Sequence, residues 1–338
     1  MRKKLPLSHI PTSILVLVGI RLLVVACEPL APDDQSQQVI VVTATPLPSP
    51  RPSATPPFVT PLPTRVEATV TPTIATRPTV SLPPCEETEG RVLDATFTST
   101  IMENDVPYRV YLPPCFFITG QRYPYVILLH GSTFDQTQWT DGLDVQTVMD
   151  EQLADPLNPL PPMVLIMPYG DYLMQENIFD EGASYENVIL DELIPTVESQ
   201  YCLWSEREGG AIGGISRGGF WAVSMAFRHQ DLFSAVGGHS PVFDADLAPP
   251  LYDPLQLAET IPPTTQLRIY LDVTQSDVAE PNVTTVSNIL RLNGVEHTYE
   301  ISPTGDHDNE YWAGHVLDYL MFYGQDWPRN ATELPSCF

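Results

Sequence analysis

Positive charge is scarce in this sequence: 16 Lys and Arg stand against 42 Asp and Glu in 338 residues, a formal net charge of -26 at pH 7. A surface so acidic repels phosphate backbones and anionic headgroups, which argues against nucleic-acid binding or peripheral docking on acidic lipid. Metal and redox signatures are missing as well. There is no HExxH, no CxxC and no GxGxxG at a strand-to-helix junction, so no metal site and no cofactor is expected. The acidic stretch Asp135 to Asp144 is read as a solvated surface, and Asn282 and Asn330, which fit the glycosylation pattern, as chance matches. Apart from a weak Thr-Pro recurrence there is no internal repeat.

What the chain has in excess is proline, 36 residues, and these are segregated. The first 27 residues carry Arg2, Lys3, Lys4 and Arg21 but no acidic residue, with an apolar run from Ile14 to Ala26 that ends Val24-Val25-Ala26-Cys27. This is the layout of a bacterial secretion signal (1–27) with a lipobox, in which Cys27 becomes the lipidated first residue of the mature chain. An uncleaved anchor is the alternative, although the run is short for a full span and Arg21 interrupts it. Either way the chain is expected to be exported and tethered to the outer face of the membrane, with no other membrane contact. Residues 28–84, typified by TATPLPSPRPSATPPFVTPLPT, have no hydrophobic period and read as a disordered, extended spacer. The globular domain is expected at 85–338.

Beyond Cys27 four cysteines remain, an even number in an exported chain, which suggests two disulfides with buried free thiols as the alternative. Arg91 to Ser99 and Pro107 to Leu112 look like hairpin arms around Glu103-Asn104-Asp105. That hairpin would bring Cys85 beside Cys115 and leave Cys202 to pair with Cys337.

Six short apolar runs follow: Tyr125 to His130, Met163 to Pro168, Gly210 to Ser216, Phe233 to Ser240, Leu267 to Val273 and His297 to Ser302. They show little alternation, as expected of strands covered on both faces. Helical stretches at Asn187 to Gln200, where Pro195 must kink the helix or lie near its end, Arg217 to His229 and His315 to Phe322 lie between or after them. The order predicts an α/β fold with a mostly parallel central sheet and helices on both faces.

On that scaffold, Gly214-Ile215-Ser216-Arg217-Gly218 joins an apolar strand to a helix. A serine on such a tight turn needs small neighbours, and the turn lifts its hydroxyl out of the sheet, so Ser216 is the candidate nucleophile. Leu129-His130-Gly131-Ser132 ends an earlier strand. Backbone amides after that strand and after the nucleophile can converge on a developing oxyanion, which assigns the amides of Ser132 and Arg217 to an oxyanion hole and leaves His130 to organise the loop. The base and its orienting carboxylate are expected at the same sheet edge, as His307 and Asp277, in the chain order that this chemistry takes on such sheets. His239 and His315 are the rivals to His307, with packing or pocket-lining roles. Among the carboxylates, Asp272 is committed within a strand, and Asp306 and Asp308 adjoin His307 too closely in sequence to share a well-formed bond.

Residues 88–328 resemble the esterase D family of α/β-hydrolases, which is similar in plan to S-formylglutathione hydrolases, feruloyl and other carbohydrate esterases, and mycolyltransferases. The resemblance rests on PYRVYLPP, VILLHG, Trp139, VILDELIPTVESQY, GGISRGGFWAVSMAFRHQDLF, AVGGHSP, LDVTQSD and GDHDNEYW. It implies the α/β-hydrolase fold, Ser216 as nucleophile, Asp277 as acid, His307 as base and the Ser132 and Arg217 amides as oxyanion donors. Arg217 stands where many members have Met, and Thr274 where Gly is usual before the acid. The expected function is an extracytoplasmic serine esterase that acts through an acyl-enzyme on a small-molecule, carbohydrate or lipid ester. An acyltransferase that passes the acyl group to a sugar or lipid hydroxyl is the alternative, and a catalytically silent cell-surface binding module a more distant one.

Overall fold

The apolar runs become the middle of one sheet. A computed structural model describes residues 38–42, 85–179, 181–244 and 248–338; the signal-like region with Cys27 and most of the spacer lie outside the described residues. In chain order the elements are β1 (Gln38–Val42), β2 (Arg91–Ser99), β3 (Asn104–Leu112), α1 (Phe116–Thr119), β4 (Tyr125–Leu129), α2 (Val145–Leu153), β5 (Val164–Pro168), α3 (Asp171–Gln175), α4 (Tyr185–Asn187), α5 (Ile194–Gln200), β6 (Gly210–Ile215), α6 (Arg217–Arg228), β7 (Ala235–His239), α7 (Pro254–Leu257), β8 (Arg268–Thr274), α8 (Glu280–Leu292), β9 (His297–Ser302) and α9 (Asn309–Gly324). The sheet order is β1-β9-β8-β7-β6-β4-β5-β3-β2. Strands β4 to β9 run parallel, while the hairpin β2–β3 joins one side and β1 the other in antiparallel sense.

Period-two alternation explains why the central strands are apolar throughout. In β4, Ile127 and Leu129 join the core layer that holds Phe220 and Val223 of α6 and Val283 of α8, while Val126 and Leu128 join the layer that holds Met149 of α2 and Trp312 and Tyr319 of α9. Strand β5 divides in the same way, Val164 and Ile166 against Leu165 and Met167. Both sheet faces are thus covered by helices, and the fold is that of the α/β-hydrolases.

Three local departures from the sequence reading have physical causes. Within the segment read as a spacer, Gln38–Val42 pairs along β9, with Gln38 opposite Ile301 and Val42 opposite His297; QVIVV is apolar, β-branched and free of proline, unlike the sequence around it. Pro195 does not end its helix but sits in the first turn of α5, directly after a π-helical stretch, Val188–Leu193, where the helical hydrogen-bond pattern already changes and a missing amide donor is tolerated. The last helix begins at Asn309, six residues before the expected start, because the Asp308 side chain caps the amides of Glu310 and Tyr311.

The hairpin pairs Arg91 with Leu112 and Ser99 with Asn104. Its base carries the Cys85–Cys115 bridge, with Cα atoms 5.7 Å apart, and a second bridge joins Cys202 to Cys337 at 6.0 Å. They close loops of 30 and 135 residues. On loop-closure entropy alone each contributes roughly 3 to 5 kcal/mol by restricting the unfolded chain.

Candidate active site

Ser216 sits between β6 and α6 with φ 55° and ψ -116°, a backbone conformation that L-residues rarely adopt. It is held there by three backbone bonds: its amide donates to His239 O (2.9 Å), and its carbonyl accepts from the amides of Phe220 (3.0 Å) and Val242 (3.2 Å). The flanking glycines are required by close approach. A Cβ on Gly214 would lie 2.4 Å from the carbonyl carbon of Gly218, and one on Gly218 would lie 2.5 Å from the carbonyl oxygens of Leu129 and His130. The glycines therefore let α6 start hard against β4 and β6, which leaves the serine hydroxyl at the carboxyl end of the sheet.

His307 reaches this hydroxyl from the loop between β9 and α9. Its Nε2 is 2.8 Å from Ser216 Oγ, and its Nδ1 is 2.8 Å and 3.0 Å from the two carboxylate oxygens of Asp277, in the loop after β8. The ring edge of Trp312 packs against the imidazole, 5.0 Å between centroids at 83°. Asp277 is buried, 5% exposed, and its Oδ1 also accepts from the amide of Ala279 (2.8 Å). Burial pushes its carboxyl up, but the bonds from His307 and that amide outweigh burial and hold it below the ordinary aspartate value. The carboxylate is thus kept ionised to orient the imidazole.

The loop after β4 faces the serine from the other side. His130 is fully buried, and burial lowers its basicity, so the ring is neutral: Nδ1 donates to Gly131 O (2.7 Å), and Nε2 accepts from the amide of Gly170 (2.9 Å). The Gly131 amide is spent on Gln138 Oε1 (2.7 Å), whose Nε2 in turn donates to Asn309 Oδ1 (2.9 Å). Trp139 Nε1 bonds Leu129 O (3.1 Å). Among the described residues the amides of Ser132 and Arg217 have no such partner, and both residues line a cavity of about 50 Å³ with Ser216, Phe220 and Val242. Sequence reasoning found His130 and Ser132 but not Gln138 or Asn309. Their pairing across 171 residues leaves no local signal.

The rival residues lie elsewhere. His239 and Asp272 form a second pair, Nδ1 to Oδ1 at 2.7 Å, fully buried beneath the site. Asp272 Oδ2 accepts from the hydroxyls of Tyr311 (2.8 Å) and Tyr319 (3.0 Å), and Tyr323 Oη lies 2.9 Å from His239 Nε2. Burial and the Asp272 charge raise all three phenols well above the ordinary tyrosine value, so they remain neutral donors. Gly213 and Gly237 make room for the network, since a Cβ on either would collide with Tyr323 Oη. His315 packs against Tyr311 and bonds its carbonyl at 2.7 Å. Asp308 is used in the helix cap, and Asp306 is exposed.

The family described as "Putative esterase" matches residues 99–323. An endo-1,4-beta-xylanase/feruloyl esterase of Xylanibacter ruminicola is 28% identical over 159 residues, 44% of this chain and 21% of the relative. An esterase of Mycobacterium tuberculosis is 28% identical over 135 residues, 39% of this chain and 28% of the relative. The chain therefore spans between about a fifth and just over a quarter of the length of these curated relatives. Among solved structures, a ferulic acid esterase superposes with TM-score 0.64 at 23% identity, covering 70% of this chain and 98% of the other. An S-formylglutathione hydrolase of Staphylococcus aureus gives 0.59 at 22%, covering 69% and 98%.

Proposed function

The chain belongs to the Esterase family, and from that premise we propose that it is a serine carboxylic-ester hydrolase working through an acyl-enzyme. The observation that carries this reading is the relay of 2.8 Å contacts from Asp277 through His307 to a serine held at φ 55°. His307 Nε2 takes the Ser216 proton as Oγ attacks the ester carbonyl carbon, and Asp277 keeps the Nδ1 proton in place and stabilises the imidazolium. The carbonyl oxygen becomes an oxyanion between the Ser132 and Arg217 amides. Collapse expels the alcohol, which takes the proton from His307. A water molecule, deprotonated by His307, then attacks the acyl carbon and releases the acid and Ser216.

The decisive experiment is turnover of a panel of p-nitrophenyl, feruloyl and acetylated-sugar esters, with and without an acceptor alcohol, alongside labelling by an alkyl fluorophosphonate. Free acid as the main product supports the hydrolase. Ester formed on the acceptor would make the chain a transferase, and neither turnover nor labelling would leave a binding module. The acid is tested by Asp277→Asn, which favours the wrong imidazole tautomer and is expected to lower turnover by roughly 10²- to 10⁴-fold. Asp306→Asn and Asp308→Asn are expected to cost about tenfold or less, and a larger loss at either would reassign the acid.

We further propose that the chain works outside the cytoplasm on a lipid tether, motivated by the basic start, the apolar run and Cys27. Labelled palmitate is expected to enter the wild-type chain and not Cys27→Ser; equal incorporation would sink the tether.

A further inference from the structure

An arginine taken half out of water ordinarily has a carboxylate beside it, because desolvating an unpaired guanidinium is costly. Three arginines of this chain follow the rule: Arg109 pairs with Asp94 and Asp141, Arg228 with Glu186, and Arg268 with Asp326. Arg217 has no such pair among the described residues, and neither do the partly buried Arg122 and Arg207, whose Nε atoms donate to the carbonyls of Ser336 and Gln230; what sets Arg217 apart from those two is its place next to Ser216. Its Nε donates to Ser132 Oγ (2.9 Å) and its Nη1 to Asn177 Oδ1 (2.6 Å), both neutral acceptors. No carboxylate stands at ion-pair distance among the described residues. Glu176, which is exposed, acts on it only through space. Burial lowers the basicity of the guanidinium, as expected of a cation short of counter-charge. Two held nitrogens leave the planar fork oriented with donors to spare, and five N–H donors in a rigid plane match an oxyanion better than any neutral group. The residue belongs to the wall of the same small cavity as the nucleophile, the other walls being Ser132, Phe220 and Val242.

Resting on the esterase reading above, we propose that Arg217 sets substrate class: the site takes esters that carry a second, anionic group, a carboxylate, close to the scissile bond, and the guanidinium receives it. On a chain with net charge -26, the general field disfavours such substrates, so any preference for them must come from a local cation. The alternative role, a tie that only holds the Ser132 loop, makes no distinction between charged and neutral esters.

Two matched pairs test this. On the alcohol side 3-acetoxybenzoate is compared with its methyl ester, and on the acyl side the mono-4-nitrophenyl ester of adipate with its neutral methyl ester. In the wild type, kcat/KM is expected to favour the anion by about tenfold or more in at least one pair, with the advantage shrinking as salt rises. In Arg217→Gln the ratio should fall to about one or below, whatever happens to the absolute rate, and Arg217→Lys should recover part of it. A ratio near one in both wild-type pairs, or a ratio unmoved by Arg217→Gln, overturns the proposal. Direct titration of Ser216→Ala with the same pairs separates this from the esterase reading. Tighter binding of the anion, lost in the Ser216→Ala, Arg217→Gln double variant, supports the charge site even without turnover. Equal binding refutes it even where the neutral esters are hydrolysed.

Discussion

Ser216→Ala is expected to lower kcat on a p-nitrophenyl ester by roughly 10⁴- to 10⁶-fold with the fold intact. The change deletes one oxygen from a residue that is only 7% exposed and whose backbone is pinned by His239, Phe220 and Val242. None of those bonds involves the hydroxyl, so thermal stability should change little. Residual activity should match what the oxyanion donors and substrate binding supply without a nucleophile. Steady-state kinetics on active-site-titrated protein checks this, and retention of more than about one part in a hundred of the rate would mean that another group carries the attack.

The largest loss of stability is expected not at the site but one strand-width below it. Asp272→Asn should destabilise the domain by about 3 to 5 kcal/mol, because it removes the charge from a fully buried carboxylate that serves His239, Tyr311 and Tyr319 at once. An amide in its place turns a donor toward at least one of those donors. For a domain of this size the loss corresponds to a fall of roughly 6 to 20 °C in Tm, measured by calorimetry or circular dichroism. Fluorophosphonate labelling of the folded fraction at low temperature should persist, in contrast to Asp277→Asn, whose loss of rate should far outweigh its loss of stability. A loss below about 1 kcal/mol would show that the network is not a structural keystone.

The two aspartates show where sequence reading stops. Asp277 can be picked out as the candidate acid because it lies just past a strand and precedes His307 in the order the chemistry takes, and the structure sets it against that imidazole. Asp272 could be excluded as the acid, but nothing nearby in sequence shows that it organises the interior, since its partners are 33, 39 and 47 residues away. The glycines of β6, α6 and β7 illustrate the same point. Gly214 and Gly218 are explained by the turn they flank, whereas Gly213 and Gly237 make sense only once Tyr323 is seen to occupy the space above them. Helix α8 was not singled out because its β-branched residues weaken the local helical signal. Only the burial of Val283, Val286 and Leu290 against the sheet reveals its apolar face.

By itself, then, the sequence determined what local chemistry and periodicity can specify: doubly covered strands, the strand-turn-helix around Ser216, the residue types able to serve it, and a hairpin placed to join Cys85 and Cys115. Only the tertiary structure brought Asp277 to His307 and Asp272 to His239, and decided which amides remain free beside the serine and that no carboxylate stands at ion-pair distance from Arg217, both among the described residues. Those outcomes depend on contacts between residues 30 to 171 positions apart, and a chain-local pattern carries no information about which of several chemically equivalent partners will be brought within 3 Å.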